Sequence, residues 1–162
     1  MGLSAVIKST LALEEKVCRR AGLATDWTAG ANFNIFRVPC VIIVRYMFGV
    51  VTTLMGVGAA VPQIQHTPAT VLGTQVPLSG PMATIAGDVA GSIYIWTGAL
   101  AGVPAPGAVI GAADIAASPL WAGQVILYPG VIAITNAVAC NAGIVDWYIC
   151  YAPCQPMLVT PL

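Results

Sequence analysis

Gly130 to Pro153 reads Gly-Val-Ile-Ala-Ile-Thr-Asn-Ala-Val-Ala-Cys-Asn-Ala-Gly-Ile-Val-Asp-Trp-Tyr-Ile-Cys-Tyr-Ala-Pro. Two runs rich in β-branched and aromatic residues, Val131 to Thr135 and Ile144 to Tyr151, flank a small-residue corner from Asn136 to Gly143. This is a strand–loop–strand signal, and Pro153 stops the second run. Alternation places Val145, Trp147, Ile149 and Tyr151 on one face and Ile144, Asp146, Tyr148 and Cys150 on the other. Both faces are largely apolar. A strand of that kind is covered on both sides. A second sheet is expected on one side, and another copy of the chain or a larger assembly on the other.

Composition points the same way. The 162 residues suffice for one domain with a proper core. Apolar residues make up 58% and charged residues only 7%, against about 25% charged in an ordinary soluble domain. A chain so poor in charge has little with which to solvate a free surface. The charges are also segregated. Lys8, Lys16, Arg19, Arg20, Arg37 and Arg45 all precede residue 46, with Glu14, Glu15 and Asp26 among them, while only Asp88, Asp114 and Asp146 lie beyond it. The net charge is zero, so there is no nucleic-acid signature. The dipolar arrangement suits head-to-tail contact between copies or with an acidic partner surface, or else the N-terminal part is a basic arm with no assigned partner.

A membrane-spanning helix is not expected. The best apolar window, Val41 to Val61, contains Arg45 and three glycines, and Pro62, Pro68, Pro77 and Pro81 break the charge-free stretch beyond it. The N-terminus lacks the pattern of a signal peptide, because Lys8, Glu14 and Glu15 interrupt a short apolar stretch. Five cysteines without regular spacing (Cys18, Cys40, Cys140, Cys150, Cys154) and a single histidine, His66, give no zinc set. They read as reduced, buried thiols.

Along the chain, Ser9 or Thr10 caps an expected helix from Leu11 to Ala21, with Gly22 beyond its end and Glu15 and Arg19 four residues apart. Asp26 to Gly30 reads as a linker. From Asn32 onward short β-rich runs alternate with Gly and Pro. The expected strands are Asn34 to Val38, Val41 to Phe48, Val50 to Met55, Val61 to Gln65, Gly73 to Val76, Gly91 to Thr97, Gln124 to Tyr128, Val131 to Thr135 and Ile144 to Tyr151. Ala99 to Pro119 is expected to form a long loop. The fold class is all-β, an antiparallel β-sandwich or jelly roll with a short N-terminal helix or arm. Residues 1–30 form the arm and linker, and residues 31–162 the sandwich domain.

Catalytic motifs are weak. Gly56-Val57-Gly58 has two of the three glycines of a dinucleotide fingerprint, with Val61 at the third place and no acidic residue about twenty positions on. No serine lies in Gly-x-Ser-x-Gly, so a triad drawn from His66, Asp88 and a serine has no support. The body of the domain has three widely separated aspartates and no Glu, which does not suit glycosidic cleavage. Trp27, Trp96, Trp121 and Trp147, with Tyr94, Tyr128, Tyr148 and Tyr151, read as core and subunit interface, or as a sugar-binding surface. No enzyme activity, cofactor or metal is expected.

Four stretches carry a family resemblance. They are Asn34-Ile35-Phe36-Arg37-Val38 with Gly49-Val50-Val51-Thr52-Thr53 after it; Ile64-Gln65-His66-Thr67-Pro68 leading to Gly73-Thr74; Asp88 to Gly98; and Gly130-Val131-Ile132 with Gly143 to Pro153 after it. In this order and spacing the sequence resembles small virion proteins of tailed bacteriophages, of the capsid-decoration or cement kind. The resemblance implies a β-sandwich that clusters as trimers on the outer surface of the phage head, assembled in the host cytoplasm. The partners it implies are the major capsid protein and further copies of the chain, with neither nucleic acid nor membrane. The sequence departs from the pattern at Pro39-Cys40, where a Gly-Gly pair is usual, in the charged segment Glu14 to Asp26, and in the tail 154–162. Lys16, Arg19, Arg20, Trp147, Tyr148 and Tyr151 are the expected capsid or inter-subunit contacts. A tail, neck or fibre component and a carbohydrate-binding host-attachment module are the alternatives.

Overall fold

The computed structural model describes residues 15–27, 33–58, 60–69, 75–96, 125–136, 138 and 140–162. Among them are ten strands: β1 (Lys16–Arg20), β2 (Phe33–Val38), β3 (Ile42–Thr53), β4 (Pro62–Pro68), β5 (Val76–Pro77), β6 (Ile93–Trp96), β7 (Val125–Leu127), β8 (Gly130–Asn136), β9 (Ile144–Pro153) and β10 (Thr160–Pro161). A 3-10 turn, Ala24–Trp27, comes after β1. The strands form two antiparallel sheets. The first runs β1-β9-β3-β6, with β7 also on β3; the second runs β10-β2-β8-β4-β5. The expected β-sandwich is therefore what the chain builds.

The pairings have a nested order. β4 pairs with β5, β3 with β6 and β7, β2 with β8, and β1 with β9. β6 faces Met47 to Val50 and β7 faces Ile42 to Val44, so the two form one interrupted edge strand. Counted that way, the chain is one long hairpin whose successive rungs fall alternately into the two sheets, which is the wrapping of a jelly roll. The expected loop from Ala99 to Pro119 lies outside the described residues, as does Trp121.

β9 is the hub, paired with β1 on one side and β3 on the other. Its inward residues Val145, Trp147, Ile149 and Tyr151 are all at most 1% exposed. They meet Ile35, Phe36, Ile64, Ile132 and Ile134 of the second sheet in one apolar core. The chain between Val41 and Met55, expected as two strands, is one twelve-residue strand. Gly49 does not break it, because Trp147 fills the space its side chain would occupy. A Cβ there would lie 2.8 Å from Val145 Cγ1 and 2.9 Å from the Trp147 ring.

The expected helix from Leu11 to Ala21 is corrected. Residues 16–20 are a strand, and residues 11–14 lie outside the described region. A helix that short is marginal on its own, whereas β9 presents an edge of backbone donors and acceptors that five residues of β1 satisfy. The expected Glu15–Arg19 pair is also replaced. Glu15 lies 3.1 Å from Arg45, and Arg19 turns to Asp146. Nor is Asp26-Trp27 a linker, since both residues are buried in the turn after β1. The Asp26 carboxylate accepts from Arg20 Nη1 and, at 2.8 Å, from Arg20 Nη2 and the Leu23 N–H.

Candidate functional site: the outward face of the first sheet

The side chains that point away from the core on the first sheet form one surface. The rows are set by register. Val17, Cys150 and Tyr46 lie side by side across β1, β9 and β3. The next row is Arg19, Tyr148, Phe48 and Ile95, and beyond it come Asp146, Val50 and Ile93. On the other side of the first row, Ala152, Ile43 and Ile126 align. Val17 is 66% exposed, Ile126 59%, Tyr46 43% and Ile93 41%. Most of this face is aliphatic or aromatic.

Three rings form its ridge. Phe48 and Tyr148 stack with centroids 4.7 Å apart and planes 6° from parallel. Tyr46 stacks on Phe48 at 6.2 Å and 30°. The 4.7 Å distance is close to the separation of neighbouring strands, so the rings stand up from the sheet and lean on each other. The faces of Phe48 and Tyr148 are turned to one another.

The charges on this face are matched within the chain. Arg19 Nη2 donates to Asp146 Oδ2 at 2.6 Å, with the Arg19 side chain 57% exposed. The Gly22 N–H donates to the other carboxylate oxygen at 2.9 Å. Burial works to raise the Asp146 pKa, but the Gly22 N–H and the Arg19 guanidinium outweigh it and leave the carboxyl below its ordinary range. Arg45 and Glu15 make the second pair.

Of the six residues expected as contacts, Arg19 and Tyr148 lie on this face. Lys16 is half-buried, on the opposite parity of β1. Arg20, Trp147 and Tyr151 are interior to the protomer, which removes their side chains from any contact surface. Arg20 makes the buried pair with Asp26 and donates from Nε to the Leu162 carbonyl at 2.7 Å, tying β1 to the segment after β10. Trp147 and Tyr151 are each 1% exposed, and the Tyr151 hydroxyl accepts from the Val159 N–H at 2.9 Å.

Sequence reasoning missed Val17, Tyr46, Phe48, Ile93, Ile95 and Ile126 as members of the surface. Alternation alone would put Val44 and Tyr46 on the same side. A bulge between them shifts the register, so that Val44 points inward opposite Tyr151 and Tyr46 outward opposite Cys150.

The outward face of the second sheet is different. Its rows are Arg37, Val131 and Thr67; Asn34, Ala133 and Gln65; and Thr135 with Gln63. Amides and hydroxyls dominate, and Gln63 Nε2 donates to the Ser79 carbonyl at 2.7 Å.

Of the residues considered for catalysis, Asp88 has another partner, whereas the His66 Nε2 is buried without a hydrogen-bond partner. His66 is buried on β4, and its pKa is lowered by burial against the opposing effect of a hydrogen bond to the Tyr128 backbone. Asp88 accepts from the Tyr94 hydroxyl at 2.7 Å, and burial raises the pKa of that phenol. Trp27, Trp96 and Trp147 are buried in the core at 1–2% exposure. All five cysteines are free thiols; Cys40, Cys140 and Cys150 are buried as expected, Cys18 is half-buried and Cys154, against expectation, is exposed. Among the described residues no three His, Cys, Asp or Glu side chains converge, and no helix is long and apolar enough to cross a membrane. The chain matches no protein-family model, no curated protein and no solved structure.

Proposed function

We propose that this chain is a structural protein of a phage virion, a decoration or cement protein that assembles with copies of itself on the major capsid protein at the outer surface of the head. The observation that carries the reading is the outward face of the first sheet, an apolar, charge-matched surface on a jelly-roll framework in a chain with 7% charged residues. A contiguous apolar face of this kind on a protein surface marks an interaction site.

The action is mechanical. Each copy removes apolar area from water at roughly 25 cal/mol per Å², less the cost of association. Repetition over a symmetric shell turns modest contacts into a firm hold against internal pressure. Of the six expected contact residues, Arg19 and Tyr148 are the two that lie on this face.

The test is the copy number of the chain in purified particles, by quantitative mass spectrometry against the major capsid protein. Comparable numbers support decoration of the whole lattice. A few copies per particle would move the protein to the tail, neck or fibre, and absence from particles would end the virion reading.

A further inference from the structure

We infer that the outward face of the first sheet is a self-association surface, covered by the same face of a second copy of this chain across a two-fold axis. This departs from the trimer that the resemblance implies, and rests on the structural reading above only for the expectation that the chain works as an assembly.

The first argument is area. The face spans three to four strand positions and some ten residues of β3 and β9. At about 4.8 Å between strands and 3.4 Å per residue, that is roughly 17 by 30 Å, or on the order of 500 Å² per copy. Two such faces reach about 1,000 Å², the lower bound for a specific interface.

The second argument is charge. Both cations of the face are paired with acids of the same chain, Arg19 with Asp146 at 2.6 Å and Arg45 with Glu15 at 3.1 Å. The chain is formally neutral, so two copies approach without net repulsion. No excess charge is left for an oppositely charged partner to match.

The third argument is the choice of patch. A ring built head to tail would press this face against a different surface of the neighbour. The other broad sheet face carries Gln63, Gln65, Thr67, Thr135 and Asn34. Aromatic and aliphatic side chains would strip water from Asn34, Gln63 and Thr67 without replacing its hydrogen bonds, the Gln65 Oε1 and Thr135 Oγ1 atoms being already buried. The face meeting itself avoids that cost except at the Arg19–Asp146 and Arg45–Glu15 pairs, whose members already pair with each other. Contact of one patch with its own copy is isologous and closes at two.

The experiment is sedimentation equilibrium on the full chain, with Val17→Lys and Ile126→Lys as the probes. These positions lie on opposite edges of the face and are 66% and 59% exposed, so folding is not at stake; far-ultraviolet circular dichroism checks it. The expected result is a wild-type dimer, weakened roughly hundredfold by either lysine through burial of an unpaired charge. The double variant should be monomeric, while Thr67→Lys on the second sheet leaves the dimer intact. A wild-type monomer at about 100 µM, a closed trimer, or a dimer indifferent to both lysines would each overturn the inference. The mass in solution judges this contact and the copy number in particles judges the virion reading, so either can fail alone.

Discussion

The two outward faces of this sandwich are built on the same scaffold and differ in chemistry. On the first sheet Tyr46, Phe48 and Tyr148 stack in a ridge flanked by Val17, Ile93 and Ile126. On the second sheet the corresponding rows are Gln63, Gln65, Thr67, Asn34 and Thr135. Both sheets send apolar side chains inward to one core. The fold therefore does not require the aromatic ridge, since a polar outward face serves the second sheet. The difference separates what the fold needs from what it does not, and it is the reason the interaction proposed above is placed on the first sheet.

The largest effect should come from removing the strand that bounds the aromatic face. Arg20→Ala leaves Asp26 buried without its cation and cuts the link from β1 to Leu162. A loss of about 3 to 5 kcal/mol in urea unfolding is expected. A loss below about 1 kcal/mol would mean that β1 and its half of the face are held by backbone pairing alone.

The next test compares the faces directly. Phe48→Ala removes a ring that stacks on two others and should cost roughly 2 to 3 kcal/mol. Thr135→Ala on the second sheet should stay within about 0.5 kcal/mol. Equal losses would erase the distinction between the faces.

Acidification should separate the sheets in order. The His66 pKa is lowered in the fold, so its stabilising contribution is complete above the ordinary value of about 6.5 and is lost as pH falls from there toward the folded value. The Asp146 pKa is also lowered. Its contribution is present above the ordinary carboxylate range, about 4, and is lost only as pH falls through the still lower folded value. Thermal melts from neutral to acid pH should therefore show an early loss that His66→Gln abolishes and a late one that Asp146→Asn abolishes. The reverse assignment would refute the order.

The smallest effect should be Thr67→Ala, expected within about 0.5 kcal/mol and without influence on assembly. A large change there would give the second sheet a role that its chemistry does not suggest.

Much of the fold was legible because strand signals are local. The runs at Val131 and Ile144, the alternation that sends Trp147 and Tyr151 inward, and the shortage of charge all come from neighbours in the chain. The first strand and the turn after it were not legible. The segment around Lys16 has a weak helical pattern, and its strand exists because β9 offers an edge far along the sequence. Adjacent arginines make the same point. Nothing local distinguishes Arg19 from Arg20, yet alternation on β1 sends one to Asp146 at the surface and the other to Asp26 in the interior.

Residue type and period-two spacing were enough to determine the all-β class, the apolar character of both faces of β9 and the expectation of assembly. Which residues share the outward face was decided by tertiary structure alone. That face is assembled across β1, β9, β3, β6 and β7 from distant parts of the chain, and the bulge between Val44 and Tyr46 sets which side chains of β3 join it. Membership depends on inter-strand register, a long-range quantity that no single stretch of sequence carries.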